Sequence, residues 1–365
     1  MVATTSSTGE GWSSRTAFIL AAVGAAVGLG NIWRFPTLAG ESGGGAFVIV
    51  YIACVFLLGL PLVLSEIFIG RVGQTDAIGS IRRVAAQSQA SPGWSVFGAV
   101  GALAAFLIVA FYSVVAGWVL YYVGVMGSDL AQAIMAGDPF RGALAGESRE
   151  QIQQRLGDMF ANPGLLLAVH FLFMGLTLYI VARGVSSGIE KAATYLMLTP
   201  EVMNSALGQA LFSLSLGVAG LITYGSYIKE GSALGPTAAI IAIADTCVAL
   251  LAGLMIFPIV FAVGLDPAAG PTLVFQTLPF AFQTMPGGAL FGLLFFLLIL
   301  VAAVTSSISL LEVPTAYGIG EHGWSRPKSA LIFGGGAFLI GIACLLGYNV
   351  WSDVRPLGFW DLFAD

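Results

Sequence analysis

Polar and apolar positions are distributed along the chain as long, nearly uninterrupted apolar runs separated by short polar joints. A helix needs about 20 mainly apolar residues to cross roughly 30 Å of hydrocarbon. Eight runs meet or approach that length: 16–38, 45–70, 97–125, 164–183, 203–228, 236–263, 288–318 and 329–350. None shows the alternating, roughly ten-residue pattern of a membrane barrel. The predicted fold is therefore all-α and embedded in a membrane. The longest polar stretch, 127–163, carries Arg141, Arg149, Arg155 and five acidic residues and reads as an extramembrane loop.

Basic residues in short loops mark the cytoplasmic side. Arg71, Arg82 and Arg83 put the joint between runs two and three inside, and with it the N-terminus, in the cytoplasmic membrane of the cell. Arg183 and Lys191 after run four, Lys229 after run five, and Arg326 and Lys328 between runs seven and eight add to this set. The 264–286 joint has no Lys or Arg and reads as external. A conflict follows. Lys191 and Lys229 can both be inside only if the chain crosses twice between them, yet one run is present. Thr199-Pro200-Glu201 has the form of a helix start, with a capping hydroxyl, proline at the first position and an acid in the first turn. The eight steps from Lys191 to Thr199 cover about 28 Å fully extended and about 12 Å as helix. That is too short for an ordinary spanning helix.

Composition narrows the class. Of 365 residues, 58% are hydrophobic and 9% charged, against about 25% charged in soluble domains. Mean hydropathy is +0.93. A net charge of −5 excludes a basic nucleic-acid surface, and the apolar content excludes disorder. Cys54, Cys247 and Cys344 lie far apart in apolar runs, without the spacing of a disulfide framework or zinc site. The first run lacks the short core and cleavage site of a removable signal. An enzyme is not expected. Asp245 is the one aspartate inside a run, so a facing aspartyl pair is missing, and His170 reads as a satisfied polar group rather than a base.

Three interruptions could carry chemistry. Gly24 to Pro36, G-A-A-V-G-L-G-N-I-W-R-F-P, places Gly24, Gly28, Gly30 and Pro36 inside run one. Backbone freed there must line a cavity, where carbonyls can bind a small cation and amides a carboxylate. Asn31 adds an oxygen, and Arg34 marks a polar path or gate. The same glycines also suit a helix-packing seam. Gly208 to Gly217, G-Q-A-L-F-S-L-S-L-G, interrupts run five with Ser213, Ser215 and Gly217, although serines also bond back to their own helix. Thr305-Ser306-Ser307 in run seven can turn two hydroxyls toward one hard cation, or bridge helices. Glu66, Asp245 and Glu312 are the acids within runs. Glu66 and Glu312, near run ends, suit structural hydrogen bonding, and Asp245 lies deeper.

Taken in order with G-G-G-A-F, F-Y-S-V-V-A-G-W, G-V-S-S-G-I-E-K and T-S-S-I-S-L-L-E, these segments resemble the neurotransmitter:sodium symporter family, its bacterial amino-acid members best. The resemblance runs from about Trp12 to Trp360. It implies a leucine-transporter-type inverted repeat with helices one and six broken, and sodium-coupled symport of an amino acid by alternating access. The broken-helix logic is a known property of that fold.

Matched residue by residue, the resemblance implies two sodium sites. One would use the carbonyls of Gly24, Val27 and Ala302 with the hydroxyls of Thr305 and Ser306. The other would use the Ala26 carbonyl, Asn31, Ser213 (often threonine in the family) and Asp245. A substrate carboxylate would meet the amides of Leu29 and Gly30 and the hydroxyl of Tyr112. Its side chain would sit among Ile108, Phe212, Ser215, Val218 and Leu310, with Ala26 alongside. Tyr112 and Phe212 would form the lid, and Arg34 half of the outer gate. Chloride is not expected, because Asp245 supplies a fixed negative charge while Ala249, one turn on, offers an anion no hydroxyl. The implied partners are a small amino acid and membrane lipid, with no nucleic acid; the oligomeric state is not legible.

Departures from the family pattern are equally clear. Helix five is essentially absent from the 184–206 connection, and the chain ends where helix ten begins, so about eight helices of twelve are expected. They form one transmembrane domain of two repeats, 1–191 with helices one to four and 192–365 with helices six to nine. The helix-ten acid opposite Arg34 is missing, no arginine precedes Trp12, and Gly320 stands where an aspartate is usual. A truncated, transport-inactive binding or interaction protein is the alternative these departures raise.

Overall fold

The computed structural model describes residues 11–41, 44–185, 214–228, 233–262 and 273–351. Among them every regular element is helical. α1 (Arg15–Ala26) stops at a break and continues as a π turn (Gly30–Arg34) into α2 (Phe35–Glu41). α3 (Gly45–Cys54) runs through a second π turn (Val55–Gly59) into α4 (Leu60–Gly73), followed by α5 (Ala77–Gln87) and α6 (Ser95–Met135). Next come α7 (Arg149–Phe160), α8 (Pro163–Ala182), the short α9 (Gly220–Ser226) and α10 (Leu234–Ala262). A third π turn (Leu273–Thr277) leads into α11 (Leu278–Thr284), then α12 (Gly288–Gly320) and α13 (Arg326–Leu346).

The starts are chemically marked. Ser14 accepts from the Ala17 amide at the head of α1, and Asp76 accepts from Ile78 and Gly79 at the head of α5. Ser148 and Gln151 form a reciprocal capping box on α7, and Asn162 with Pro163 opens α8. Among the described residues six helices are long and apolar enough to cross a membrane, or seven with the first bent pair, whose halves meet at 59°. Leu57, Leu254 and Leu339 stand 73%, 69% and 66% exposed, a surface suited to lipid rather than water.

Two boundaries differ from expectation. The third span continues to Met135, and Arg149–Phe160 is a capped helix, so 127–163 is not a plain loop. Arg326 is not a free loop charge. It is buried and pairs with Glu312 at 2.7 Å. The 184–206 connection expected to lack helix five lies from position 186 onward outside the described residues, as do Phe212 and Ser213 of the second interruption.

Close helix crossings depend on glycine. A Cβ on Gly225 of α9 would lie 2.7 Å from the Ile67 carbonyl oxygen, and one on Gly70 of α4 would collide with the Ile222 carbonyl. The two backbones therefore touch without intervening side chains. α12 packs along α6 and carries α8 and α13 behind it, making a scaffold against which α1 leans.

Candidate functional site

The first break is closed by local chemistry. Val27 leaves the helix with ψ 111°, and Asn31 Oδ1 accepts from the Gly28 amide at 3.0 Å. This supplies a partner to an amide that the interrupted helix leaves without one. The Asn31 amide in turn donates to Asp245 Oδ1 at 3.0 Å, and Asp245 is fully buried in α10. Asn31 thus links the break to the one acid deep in a span.

Hydroxyls of α12 meet the same break. Ser306 Oγ donates to the Val27 carbonyl at 2.9 Å and reaches Gly24 O at 3.4 Å. Thr305 Oγ1 donates to Ala302 O at 3.0 Å and Val301 O at 3.2 Å. Space for this exists because of glycine. A Cβ at Gly24 would lie 3.0 Å from Thr305 Cβ, and one at Gly28 would lie 2.7 Å from Ser306 Oγ. Ser307 turns the other way, 3.2 Å from Thr177 of α8. A hard cation among these oxygens would displace the hydroxyl protons that now satisfy the carbonyls, since a cation needs acceptor-only contacts.

Beside the break is a cavity of about 60 Å³. Ala26, Gly30 and Asn31 line it from the first helix, Ile108 and Tyr112 from α6, Ser215 and Val218 from the second break, and Leu310 from α12. Leu29 contributes its amide, which donates to the Tyr112 hydroxyl at 3.2 Å. The cavity wall is therefore mainly apolar, with the Tyr112 and Ser215 hydroxyls and the Asn31 side chain as polar groups at its edge. Arg34 is exposed at the end of its π turn.

The second break uses unusual backbone. Ser215, Gly217 and Ala219 have φ of +53°, +78° and +59°. Ser215 Oγ donates across to the Ala25 carbonyl at 2.8 Å, and the Gly217 amide donates to Glu66 Oε1 at 2.8 Å. Neither Ala25 nor the capping role of Glu66 was identified from sequence. The usable signal for Glu66 was an acid within a span, which must be bonded to something.

At the end of α12 away from Gly288, Glu312 accepts from Arg326 (2.7 and 2.9 Å) and from the Tyr227 hydroxyl (2.6 Å). Trp12 docks next to it, its indole donating to Tyr224 O at 3.0 Å and its backbone amide to Tyr227 O at 3.2 Å. The room a side chain at position 320 would need is taken by the Asp76 carboxylate. Burial pushes that carboxyl above the ordinary aspartate range. His170 is buried, with Nε2 3.2 Å from Phe338 O and its ring stacked on Phe338.

A broken first helix, an irregular second segment at 214–219, a hydroxyl-bearing scaffold helix and a cavity between them fit the architecture of a secondary transporter. The model of the Sodium:neurotransmitter symporter family matches residues 9–131 and 159–345, and the chain belongs to that family. It is 38% identical over 388 residues to an uncharacterized sodium-dependent transporter, YhdH, of Bacillus subtilis (strain 168), covering 96% of this chain and 82% of the relative. A sodium-dependent serotonin transporter of Drosophila melanogaster is 26% identical, with 86% and 60% covered. The crystal structure of MhsT in complex with L-phenylalanine superposes with a TM-score of 0.81 at 38% identity, covering 97% of this chain and 85% of MhsT. The protein is a multi-pass sodium-dependent transporter of leucine-transporter fold, not an enzyme. None of these matches supports the alternative of a transport-inactive interaction protein.

Proposed function

We propose that the protein couples sodium to the symport of a neutral amino acid by alternating access. The observation that carries this reading is the bond from Ser306 to Val27 and the packing of Thr305 against Gly24 at the broken backbone, next to a mainly apolar cavity edged by Tyr112, Ser215 and Asn31. One sodium ion would sit among the oxygens of Gly24, Val27, Ala302, Thr305 and Ser306. A second would sit by the Ala26 carbonyl, Asn31, Ser213 and Asp245. The substrate carboxylate would take over the Leu29 amide from Tyr112 and use the Gly30 amide as well. Its side chain would then face Ile108, Val218 and Leu310, with Phe212 closing the pocket. Sodium would help fill the pocket by turning the hydroxyls and fixing the break, which is how an ion gradient acquires leverage on substrate. The buried Asp245 carboxylate would supply the negative charge that makes chloride unnecessary. The two halves, 1–191 and 192–365, would act as inverted repeats, with the N-terminus in the cytoplasm and Arg34 on the outer path.

The test is binding of labelled leucine and phenylalanine to the purified full chain. Binding should require sodium, be indifferent to replacement of chloride by gluconate, and fall at least tenfold in Thr305→Ala/Ser306→Ala. Equal binding in potassium and sodium, or an unaltered sodium dependence in the double variant, would overturn the assignment.

A further inference from the structure

Asp76 opens α5 and is buried, at 4% exposure, although it lies between two spans rather than within one. Its two oxygens face opposite kinds of helix end. Oδ1 accepts from the Ile78 and Gly79 amides at 3.0 and 3.2 Å, so it sits at the positive end of α5. Oδ2 lies against Gly320, the last residue of α12, where helix carbonyls carry partial negative charge. The Thr75 hydroxyl donates to Oδ2 at 3.1 Å. Two glycines make the slot for this carboxyl. A Cβ at Gly320 would collide with Oδ2, and one at Gly79 would lie 3.0 Å from it.

The surrounding charges make the slot a poor place for an anion. Glu321, next to Gly320, acts on Asp76 as a like charge. Glu321 also pairs with Arg82 of α5 at 3.0 Å, but both side chains are partly in solvent, where such a pair is worth little. His322 turns away and stacks on Trp324. α4 brings Arg71 in its last turn, and Arg83 of α5 donates to Gly73 O at 2.6 Å. α6 meets α5 through Gly98 at Ala77 and Ile78, and the Pro92–Trp94 turn has no ionisable group. The tyrosines of the α9 end, Tyr224 and Tyr227, belong to the Glu312–Arg326 cluster. The joint itself is held by neutral bonds. Gln74, at φ +51°, donates to Ile228 O at 3.0 Å, and Ser80 Oγ donates to Thr75 O at 2.8 Å.

We propose that Asp76 is a proton-sensitive latch between the α4–α5 joint and the end of α12: the neutral acid seats on Gly320, and the carboxylate is pushed off it. The neutral form keeps Oδ1 as acceptor for the two amides, carries its proton on Oδ2 and can donate it to the Thr75 hydroxyl. The carboxylate sets a full negative charge against the carbonyl end of α12 and beside Glu321. Burial and Glu321 make the seated acid hold its proton more tightly than a released one. The latch is therefore strongest below the ordinary aspartate range and weakens as pH rises through the raised value. Its consequence for transport rests on the transporter reading. The basic residues put this end in the cytoplasm, and a path there has to open in every cycle, so internal acidification would slow that opening.

The test is hydrogen–deuterium exchange over 74–82 and 316–323, measured on the full chain in detergent for the parent and Asp76→Asn. Asparagine keeps the acceptor oxygen and cannot ionise. Taking the ratio of parent to variant rates at each pH cancels the intrinsic pH dependence of exchange. That ratio should rise between about pH 5 and about pH 8, by up to roughly tenfold for each unit by which the seat raises the pKa. Gly320→Ala fills the slot with Asp76 intact, and should speed exchange more at about pH 5 than at about pH 8. It decides the matter alone if Asp76→Asn fails to fold, as melting temperature reports. A flat ratio would make Asp76 a plain helix cap, and a falling one would make the carboxylate the form that holds α12. Either result overturns the proposal, as does an equal effect of Gly320→Ala at both pH values. Sodium-dependent leucine binding is measured on the same preparations. Its absence would sink the transporter reading while leaving the exchange ratios to decide the latch.

Discussion

Between Val27 and Asn31 the chain leaves the helix largely on its own resources. Between Leu214 and Ala219 it runs outside regular helix with help from elsewhere. At the first break a side chain three residues on caps the stranded amide, and the backbone stays at negative φ through Val27 and Leu29. At the second, two non-glycine residues sit in the left-handed region, which costs about 1–2 kcal/mol each. The bonds that hold it come from Glu66 of α4 and from the Ala25 carbonyl at the end of α1. The first break is a local motif. The second is a tertiary one, so it can respond to movements of α1 and α4, and the Ser215–Ala25 bond ties the two breaks together across the cavity.

That contrast predicts where a methyl group hurts most. In Gly28→Ala the new Cβ would lie 2.7 Å from Ser306 Oγ and 3.1 Å from the Tyr112 hydroxyl. Relief requires moving Ser306 off Val27, which disturbs the oxygen set and the cavity together. Overpacking of about 1–3 kcal/mol translates to a roughly five- to 150-fold loss in sodium affinity. Gly45→Ala is the control, because its Cβ would meet nothing within 4 Å. Sodium titrations of leucine binding check the pair, and equal affinities would show the first break to be more yielding than its packing suggests.

A smaller effect is expected at the second break from its borrowed cap. Glu66→Ala removes the acceptor for the Gly217 amide, a single bond at an exposed backbone position. The cost is about 0.5–1.5 kcal/mol, or a few-fold in substrate affinity. Glu66→Gln keeps an acceptor for that amide, so it should bind like the parent. If glutamine were as damaging as alanine, the carboxylate charge rather than the cap would be what the site needs.

The difference between the breaks also explains what could be read from the chain. Glycines 24, 28 and 30 with Asn31 and Pro36 announce the first interruption within thirteen residues, because the resource that closes it is local. Direction was harder to read. Thr305, Ser306 and Ser307 are equivalent hydroxyls in sequence, and only the placement of α8 decides that Ser307 faces Thr177. Glu66 was visible as a bonded acid without its partner, since the partner is 151 positions away. Arg326 looked like a loop charge because burial by Glu312 and Val181 is a tertiary fact. The Gly70–Gly225 crossing was invisible for the same reason: among 48 glycines nothing local singles out two that touch.

The finest test compares two left-handed residues inside the second break. Ala219 has φ +59° and makes no side-chain hydrogen bond, whereas Ser215, at φ +53°, spends its hydroxyl on Ala25. Ala219→Gly should remove the left-handed penalty of about 1–2 kcal/mol and add an unfolded-state entropy cost of about 0.4–1 kcal/mol. The Ala219 methyl also faces Gly101 closely, and its loss forfeits a little packing. The net gain is therefore small, on the order of 0.5 kcal/mol, or one to a few degrees in melting temperature. Ser215→Gly relieves the same backbone penalty but loses a bond of about 1 kcal/mol, so its melting temperature should not rise and the coupling between the breaks should weaken. A thermal-shift series in detergent, with and without sodium and leucine, separates the cases. Ala219→Gly should shift both curves equally. Ser215→Gly should shrink the added stabilisation by ligand. Equal behaviour of the two variants would mean that the Ser215–Ala25 bond does not link the breaks, and that the second break is as self-contained as the first.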